Sequence, residues 1–169
     1  MHFCYQCGSL LSNRVIENYP REVCPNCGYI HYLQVKPTAG VLVEKDNRLL
    51  VVQRSYEPWK GCWNLPAGYM EVDESPCQTA EREVLEETGY KIKCGDLIDV
   101  YFYDDDPRGN GLLILYEGII TGGKMKGNAE VERIDFFSCS ELQHVPLAGG
   151  SHDLAIQTWI KKWGTFHHD

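Results

Sequence analysis

The sequence predicts an α/β sandwich preceded by a small metal-stapled ribbon, on three observations. From about residue 38 onward, apolar strand-like runs are interrupted by one helical stretch in the middle and closed by another at the end. The first 34 residues are dense in Cys, Tyr and turn-forming residues and poor in aliphatic periodicity, so a core of their own cannot hold them. Four of the eight cysteines stand in two C-x-x-C pairs within that segment. With 169 residues, 43% of them hydrophobic, the chain suits one main domain and a satellite, divided here as residues 1–34 and 35–169.

In chain order, "CYQC" (Cys4, Cys7) and "CPNC" (Cys24, Cys27) come first, with sixteen residues between Cys7 and Cys24. That spacing fits a four-cysteine zinc site, and Gly8 and Gly28 let each pair turn tightly. Four thiolates fill a tetrahedral shell, so the expected zinc is structural and His2 and His31 are not needed as ligands. Next, "TAGVLVEKDNRLLVVQRS" reads as two strands around a turn, and "WNLPAGYMEV" runs from a strand into a loop. Glu74 and Ser75 can serve a helix N-terminus, Pro76 suits its first turn, and Gly89 ends it. "KIKCGDLIDVYFYDDD" and "GLLILYEGIIT" are two further strands and "ERIDFFS" a short one. "GSHDLAIQTWIKKW" closes the chain as an amphipathic helix carrying Leu154, Ile156, Trp159, Ile160 and Trp163.

The net charge of -8 argues against a broadly basic nucleic-acid surface. No apolar run approaches the roughly 20 residues of a membrane span. The opening "MHFCYQCGSL" lacks the order of a signal peptide, so the expected location is the cytoplasm. Accordingly Cys62, Cys77, Cys94 and Cys139 read as reduced, packing thiols. Tyr29, Ile30 and Tyr32 of the ribbon are available either for packing on the main domain or for a homodimer interface.

The middle helix crowds Glu81, Glu83, Glu86 and Glu87 into seven residues, although like charges three and four apart repel. At about 100° per residue, Cys77, Ala80, Val84 and Thr88 share a core face with Leu85 just beyond it. Glu83, Glu86 and Glu87 occupy an adjacent arc with Arg82 at its edge. Glu81 falls toward the apolar side, where the sequence offers no account of it.

The register from Gly68 through Glu74, Arg82-Glu83, Glu86-Glu87 and Gly89 reads G-x5-E-x7-R-E-V-L-E-E-T-G-Y, which resembles the Nudix box of the Nudix hydrolases. All seven fixed positions of that pattern are present, and the one departure is Tyr90 where a bulky aliphatic is usual. The resemblance implies a Nudix α/β/α sandwich with a mixed sheet. It further implies that Glu83, Glu86 and Glu87, with the Gly68 carbonyl, ligate Mg²⁺ or Mn²⁺, that Arg82 orients them, and that Glu74 supports the site. Hard divalent ions suit such oxygens and offset their repulsion. The implied reaction is hydrolysis of the pyrophosphate bond of a nucleoside diphosphate linked to another group. Its general base is left open among Glu83 and downstream acids such as Glu130 and Glu132.

A four-cysteine ribbon ahead of a Nudix domain resembles two groups, the NADH pyrophosphatases and shorter enzymes that hydrolyse FAD or ADP-ribose. The NADH group carries S-Q-P-W-P-F-P-x-S after the box, whereas "YKIKCGDLIDVYFYDDDPRGNG" stands here, so ADP-ribose or FAD is the expected substrate type. The alternatives are an NADH or dinucleoside polyphosphate pyrophosphatase, or a nucleotide-sensing or RNA-binding module without turnover. Arg14, Arg21 and Lys36 are too few for a phosphate track on the ribbon. Tyr101 and Tyr103 could stack a base or flavin, Phe102 is read as a core residue, and Trp59 and Trp63 fit either use.

Overall fold

The computed structural model describes residues 2–164, with side chains through residue 162. Residues 1–34 and 35–169 separate as two compact units. In the first, β1 (Ser12–Ile16), β2 (Tyr19–Val23) and β3 (Ile30–His31) form an antiparallel sheet. Glu17 and Asn18 make the two-residue turn between β1 and β2 with left-handed φ of 49° and 67°. The two cysteine pairs fold alike. The Gly8 N–H donates to the Cys4 carbonyl and the Gly28 N–H to the Cys24 carbonyl, both glycines lying at φ near 75° (74° and 76°).

The second unit is a mixed sheet between helices. Its strands are β4 (Lys36–Lys45), β5 (Arg48–Arg54), β8 (Tyr90–Tyr103), β9 (Gly111–Gly123) and β10 (Val131–Phe137), in the order β10-β5-β4-β9-β8. Short β6 (Trp63–Asn64) and β7 (Ala67–Tyr69) pair β5 and β4. Among the described strand pairs, β4 and β9 run parallel and the others antiparallel. Asp46 and Asn47, both with left-handed φ, close the β4–β5 hairpin within the sequence-read "KDN".

Strand alternation divides the core. Val41, Val43 and Leu50 pack with Ala80 and Val84 of α1 (Pro76–Thr88), while Leu49, Val51 and Leu115 pack with Ala155, Ile156, Trp159 and Ile160 of α3 (Gly150–Gly164). A four-residue α2 (Cys139–Leu142) adds Leu142 to the latter cluster. Leu154, expected on the apolar stripe, is 56% exposed, since it lies about 200° round the helix from Ile156 and Ala155 takes its place. The side chain of Trp163 lies outside the described residues.

α1 is fixed at both ends. Ser75 Oγ accepts from the Gln78 N–H while Gln78 Oε1 accepts from the Ser75 N–H, Pro76 opens the helix, and Gly89 closes it at φ 74°. Leu85 is 44% exposed, so the apolar stripe is narrower than read. Thr79 and Glu87 are buried instead. Two further sequence expectations are corrected here. Cys77, in the first turn of α1, and Cys94, on β8, form a disulfide with Cα atoms 5.7 Å apart, so they are not reduced packing residues. Their pairing depends on how α1 docks on β8, which local pattern does not reveal. Phe102 is 53% exposed, because the β8 residues that face inward at this end are Tyr101 and Tyr103. Glu81 now has a role: its carboxylate accepts the Cys94 N–H at 2.9 Å, where β8 loses register with β9 between Cys94 and Leu97.

Candidate active site

Because α1 lies on β4 and beside β7, one flank of the helix opens into a cavity of about 360 Å³. Arg82, Glu83, Glu86 and Glu87 line it from α1, and Ala67, Gly68 and Tyr69 from β7. Arg54, Trp59, Asn64, Tyr103, Asp106, Arg108, Glu130 and His152 complete most of the wall.

Arg82 is the hub. Its guanidinium donates to Glu74 (Nε–Oε1 2.7 Å, Nη2–Oε2 2.9 Å), to Glu83 (2.6 Å), to Glu86 (3.4 Å) and to the Tyr69 carbonyl (3.0 Å). Glu74 does not line the cavity; it grips the guanidinium and also accepts the Thr79 hydroxyl at 2.8 Å. The Arg82 bonds, ahead of the Thr79 bond, hold the Glu74 carboxyl down at about 2. Glu87 is anchored by the Ala67 N–H at 3.2 Å, and a Cβ on Gly68 would overlap the Glu83 carboxylate. With Gly68 in that place the Glu83 carboxylate keeps its present position.

Burial pushes the Glu87 carboxyl well above its usual range, helped by the charges of Glu83 and Glu130. Glu83 is raised as well, chiefly by burial, with Arg82 opposing and Glu86 and Glu130 adding to the shift. The three glutamates share the cavity, but among the described residues their oxygens are not drawn into one set all within 4.8 Å, as the cysteine sulfurs are. Arg82 bridges Glu83 and Glu86 in place of a closer approach.

Seven acids on the cavity wall face three arginines. A phosphate ester meets net repulsion there unless divalent cations accompany it, and an all-oxygen donor set fits Mg²⁺ or Mn²⁺. Of the possible bases, Glu130 lines the cavity and Glu132 does not. Of the aromatic candidates, Tyr103 and Trp59 line it, whereas Trp63 is buried in the α3-side core and Tyr101 packs against that core.

Several cavity residues carry no local signature in the sequence. Asn64, only 2% exposed, donates its amide to the Leu65 carbonyl and leaves Oδ1 without a partner; the buried Nδ1 of His152 also lacks one. Such polar atoms in a cleft are open to water or to a ligand. Burial holds the His152 imidazole down at about 4, so it is neutral at physiological pH. Trp59 adopts a left-handed φ of 61° and presses its ring on Gly149, while Arg54 Nε donates to the Pro58 carbonyl. Arg108 is oriented by buried Asp106 through contacts of 2.7–3.1 Å.

In the ribbon, the sulfurs of Cys4, Cys7, Cys24 and Cys27 all lie within 4.8 Å of one another. The Tyr29 amide favours the Cys27 thiolate, but burial and the three neighbouring thiols push it up to about 12. Four thiols this close ionise together only around a cation, and an all-sulfur tetrahedral set fits Zn²⁺.

A mixed sheet between helices, with the box helix opening into an acidic cavity, is the architecture of Nudix hydrolases. The chain belongs to that family: the NUDIX domain model matches residues 35–157, and the zinc-ribbon model described as "Nudix N-terminal" matches residues 2–33. A Methanocaldococcus jannaschii protein named ADP-ribose pyrophosphatase is 32% identical over 134 residues, which is 79% of this chain and 78% of that one. A Vibrio atlanticus protein named NAD-capped RNA hydrolase NudC is 28% identical over 88% of this chain, which spans only 54% of its length. The crystal structure of a NUDIX hydrolase from Nitrosomonas europaea superposes with a TM-score of 0.81 at 30% identity, covering 97% of this chain and 93% of that one. No helix among the described residues is long and apolar enough to cross a membrane.

Proposed function

We propose that the protein hydrolyses the pyrophosphate bond of a nucleoside diphosphate linked to a second moiety, of the ADP-ribose or FAD type. The observation that carries this reading is the Arg82 hub, which ties Glu74, Glu83 and Glu86 to one guanidinium beside Glu87 and Gly68. The M. jannaschii relative favours ADP-ribose among the substrates, and the absence of the NADH pyrophosphatase motif weighs against NADH.

Glu83, Glu86, Glu87 and the Gly68 carbonyl would hold Mg²⁺ or Mn²⁺, whose chemistry when bound is to activate water and to offset charge on the diphosphate oxygens. Arg54 and Arg108 face the same space and can take the remaining phosphate charge. Glu130, which lines the same cavity as Glu83 and Glu87, would accept the proton of the attacking water. Asn64 Oδ1 and the neutral His152 offer hydrogen bonds to an uncharged part of the substrate.

The decisive experiment is a panel of ADP-ribose, FAD, NADH, dinucleoside polyphosphates, coenzyme A and capped RNA incubated with Mg²⁺, with products identified. Cleavage of ADP-ribose or FAD to two monophosphates is expected, and silence across the panel would leave only a binding module. Gly68→Ala should displace the Glu83 carboxylate and lower kcat by about tenfold to a hundredfold, with a smaller change in KM; steady-state kinetics on the best substrate check it.

For the ribbon we infer that Cys4, Cys7, Cys24 and Cys27 hold one tightly bound structural Zn²⁺. Cys24→Ser is expected to lose that ion and to open residues 1–34 to proteolysis while the Nudix unit stays folded. Elemental analysis and limited digestion read both effects, and an ordered, metal-free wild type would refute the assignment.

A further inference from the structure

We propose that His2, Glu22 and His31 form a second cation site on the ribbon, suited to a late first-row divalent ion such as Zn²⁺ and separate from the four-thiol centre. Three parts of the ribbon bring these side chains together. Glu22 on β2 and His31 on β3 are directly paired across the antiparallel ladder, so they project from the same face. His2 is held nearby because its carbonyl accepts the Leu11 N–H.

The Glu22 carboxylate receives both imidazoles: His2 Nδ1 lies 2.8 and 2.9 Å from its two oxygens, and His31 Nδ1 lies 2.8 Å from Oε2. The two rings stand edge to face with centroids 6.0 Å apart. One ligand atom from each of the three residues falls within 4.8 Å of the others.

A tetrahedral zinc with ligands at about 2.0–2.1 Å needs ligand atoms about 3.3 Å apart. Replacing the shared protons by an ion therefore asks each contact to widen by about half an ångström. His2 is exposed and the other two are half-buried, so side-chain rotation alone can supply that movement. Two imidazoles and one carboxylate select Zn²⁺ and its late first-row neighbours over Mg²⁺ or Ca²⁺, and they leave a fourth position open to water. The four-thiol set is complete without them, so this ion would be additional, weaker and exchangeable. It would pin the first residues of the chain to the β2–β3 edge.

The test is a Zn²⁺ titration of the full-length chain against a chromophoric chelator, with excess Mg²⁺ present to occupy the carboxylate cavity. Two classes of site are expected in the wild type, and ¹⁵N resonances of the His2 and His31 rings should move only with the second. Glu22→Gln and His31→Ala should each weaken the second class by roughly tenfold or more while the tight class stays intact. If either change also costs the ribbon its tight ion, His2→Gln at the exposed first segment supplies the same reading. A single class in the wild type, or a second class that survives the substitutions, overturns the proposal and leaves the cluster as hydrogen bonds alone.

Discussion

Glu86→Gln is expected to lower Mg²⁺-dependent hydrolysis by at least about a hundredfold without changing the melting temperature. The side chain is 53% exposed on the outer flank of α1, where Arg82 approaches it at 3.4 Å. Gln preserves shape and removes charge, so neither the core nor the Arg82–Glu74 and Arg82–Glu83 bonds need move. On the proposed reading, what is lost is an anionic oxygen that would help hold the divalent cation. Steady-state rates over a Mg²⁺ series, beside thermal melts, separate the two effects. Turnover near the wild-type value would sink the assignment of Glu86 as a ligand.

The second large effect is on stability. In metal-free protein, Glu87 and Glu83 both bind their protons more tightly folded than unfolded, since burial raises each above the ordinary 4.5. Their contribution to stability is therefore fully present below that ordinary value and is lost as pH rises through the raised folded values. Glu74 acts oppositely. Its carboxyl, held at about 2, adds stability above the ordinary value that is lost only as pH falls toward 2.

Where the pH lies above the raised Glu83 and Glu87 values, the metal-free Nudix unit carries buried negative charge that a divalent ion would relieve. Mg²⁺ at a hundred times its dissociation constant should add about 2.7 kcal/mol, or roughly 5–10 °C in Tm. The gain should shrink as pH falls through those raised values, where protons already serve. Glu87→Gln removes a buried group that charges only above its raised value, so at a pH above that value the metal-free variant should melt higher than wild type and respond little to Mg²⁺. Melting curves in chelator and in Mg²⁺ across that pH range decide it. Coincident wild-type and variant curves would contradict the picture.

Much of the site was legible because its signals are local. The box fixes a helix and its register within twenty-two residues, and the cysteine spacing fixes a knuckle pair without reference to the rest of the chain. The hairpin at Asp46-Asn47 and the caps at Ser75 and Gly89 are local for the same reason. The remainder depends on strand register over long separations. Arg54, Asn64, Arg108 and His152 meet only when β4 pairs with β9 and α3 docks, so no window of sequence could collect them. The Cys77–Cys94 disulfide and the bond from Glu81 to the Cys94 amide likewise exist only once α1 lies on β8. Phe102 was misread because alternation establishes that neighbours face oppositely and leaves open which of them faces in.

The division of the core by the sheet also bears on how such a protein can change over time. The α1 side, with Ala80 and Val84 behind the box glutamates, shares no core residue with the α3 side, whose helix begins beside His152. Substitutions in clusters with no common partner tend to act independently. Mutations that recut the wall around His152 and Asn64 can therefore be absorbed by the α3-side packing while the helix carrying the glutamates keeps its seat. A change on the His152 side should then leave the packing beneath the box glutamates as it is.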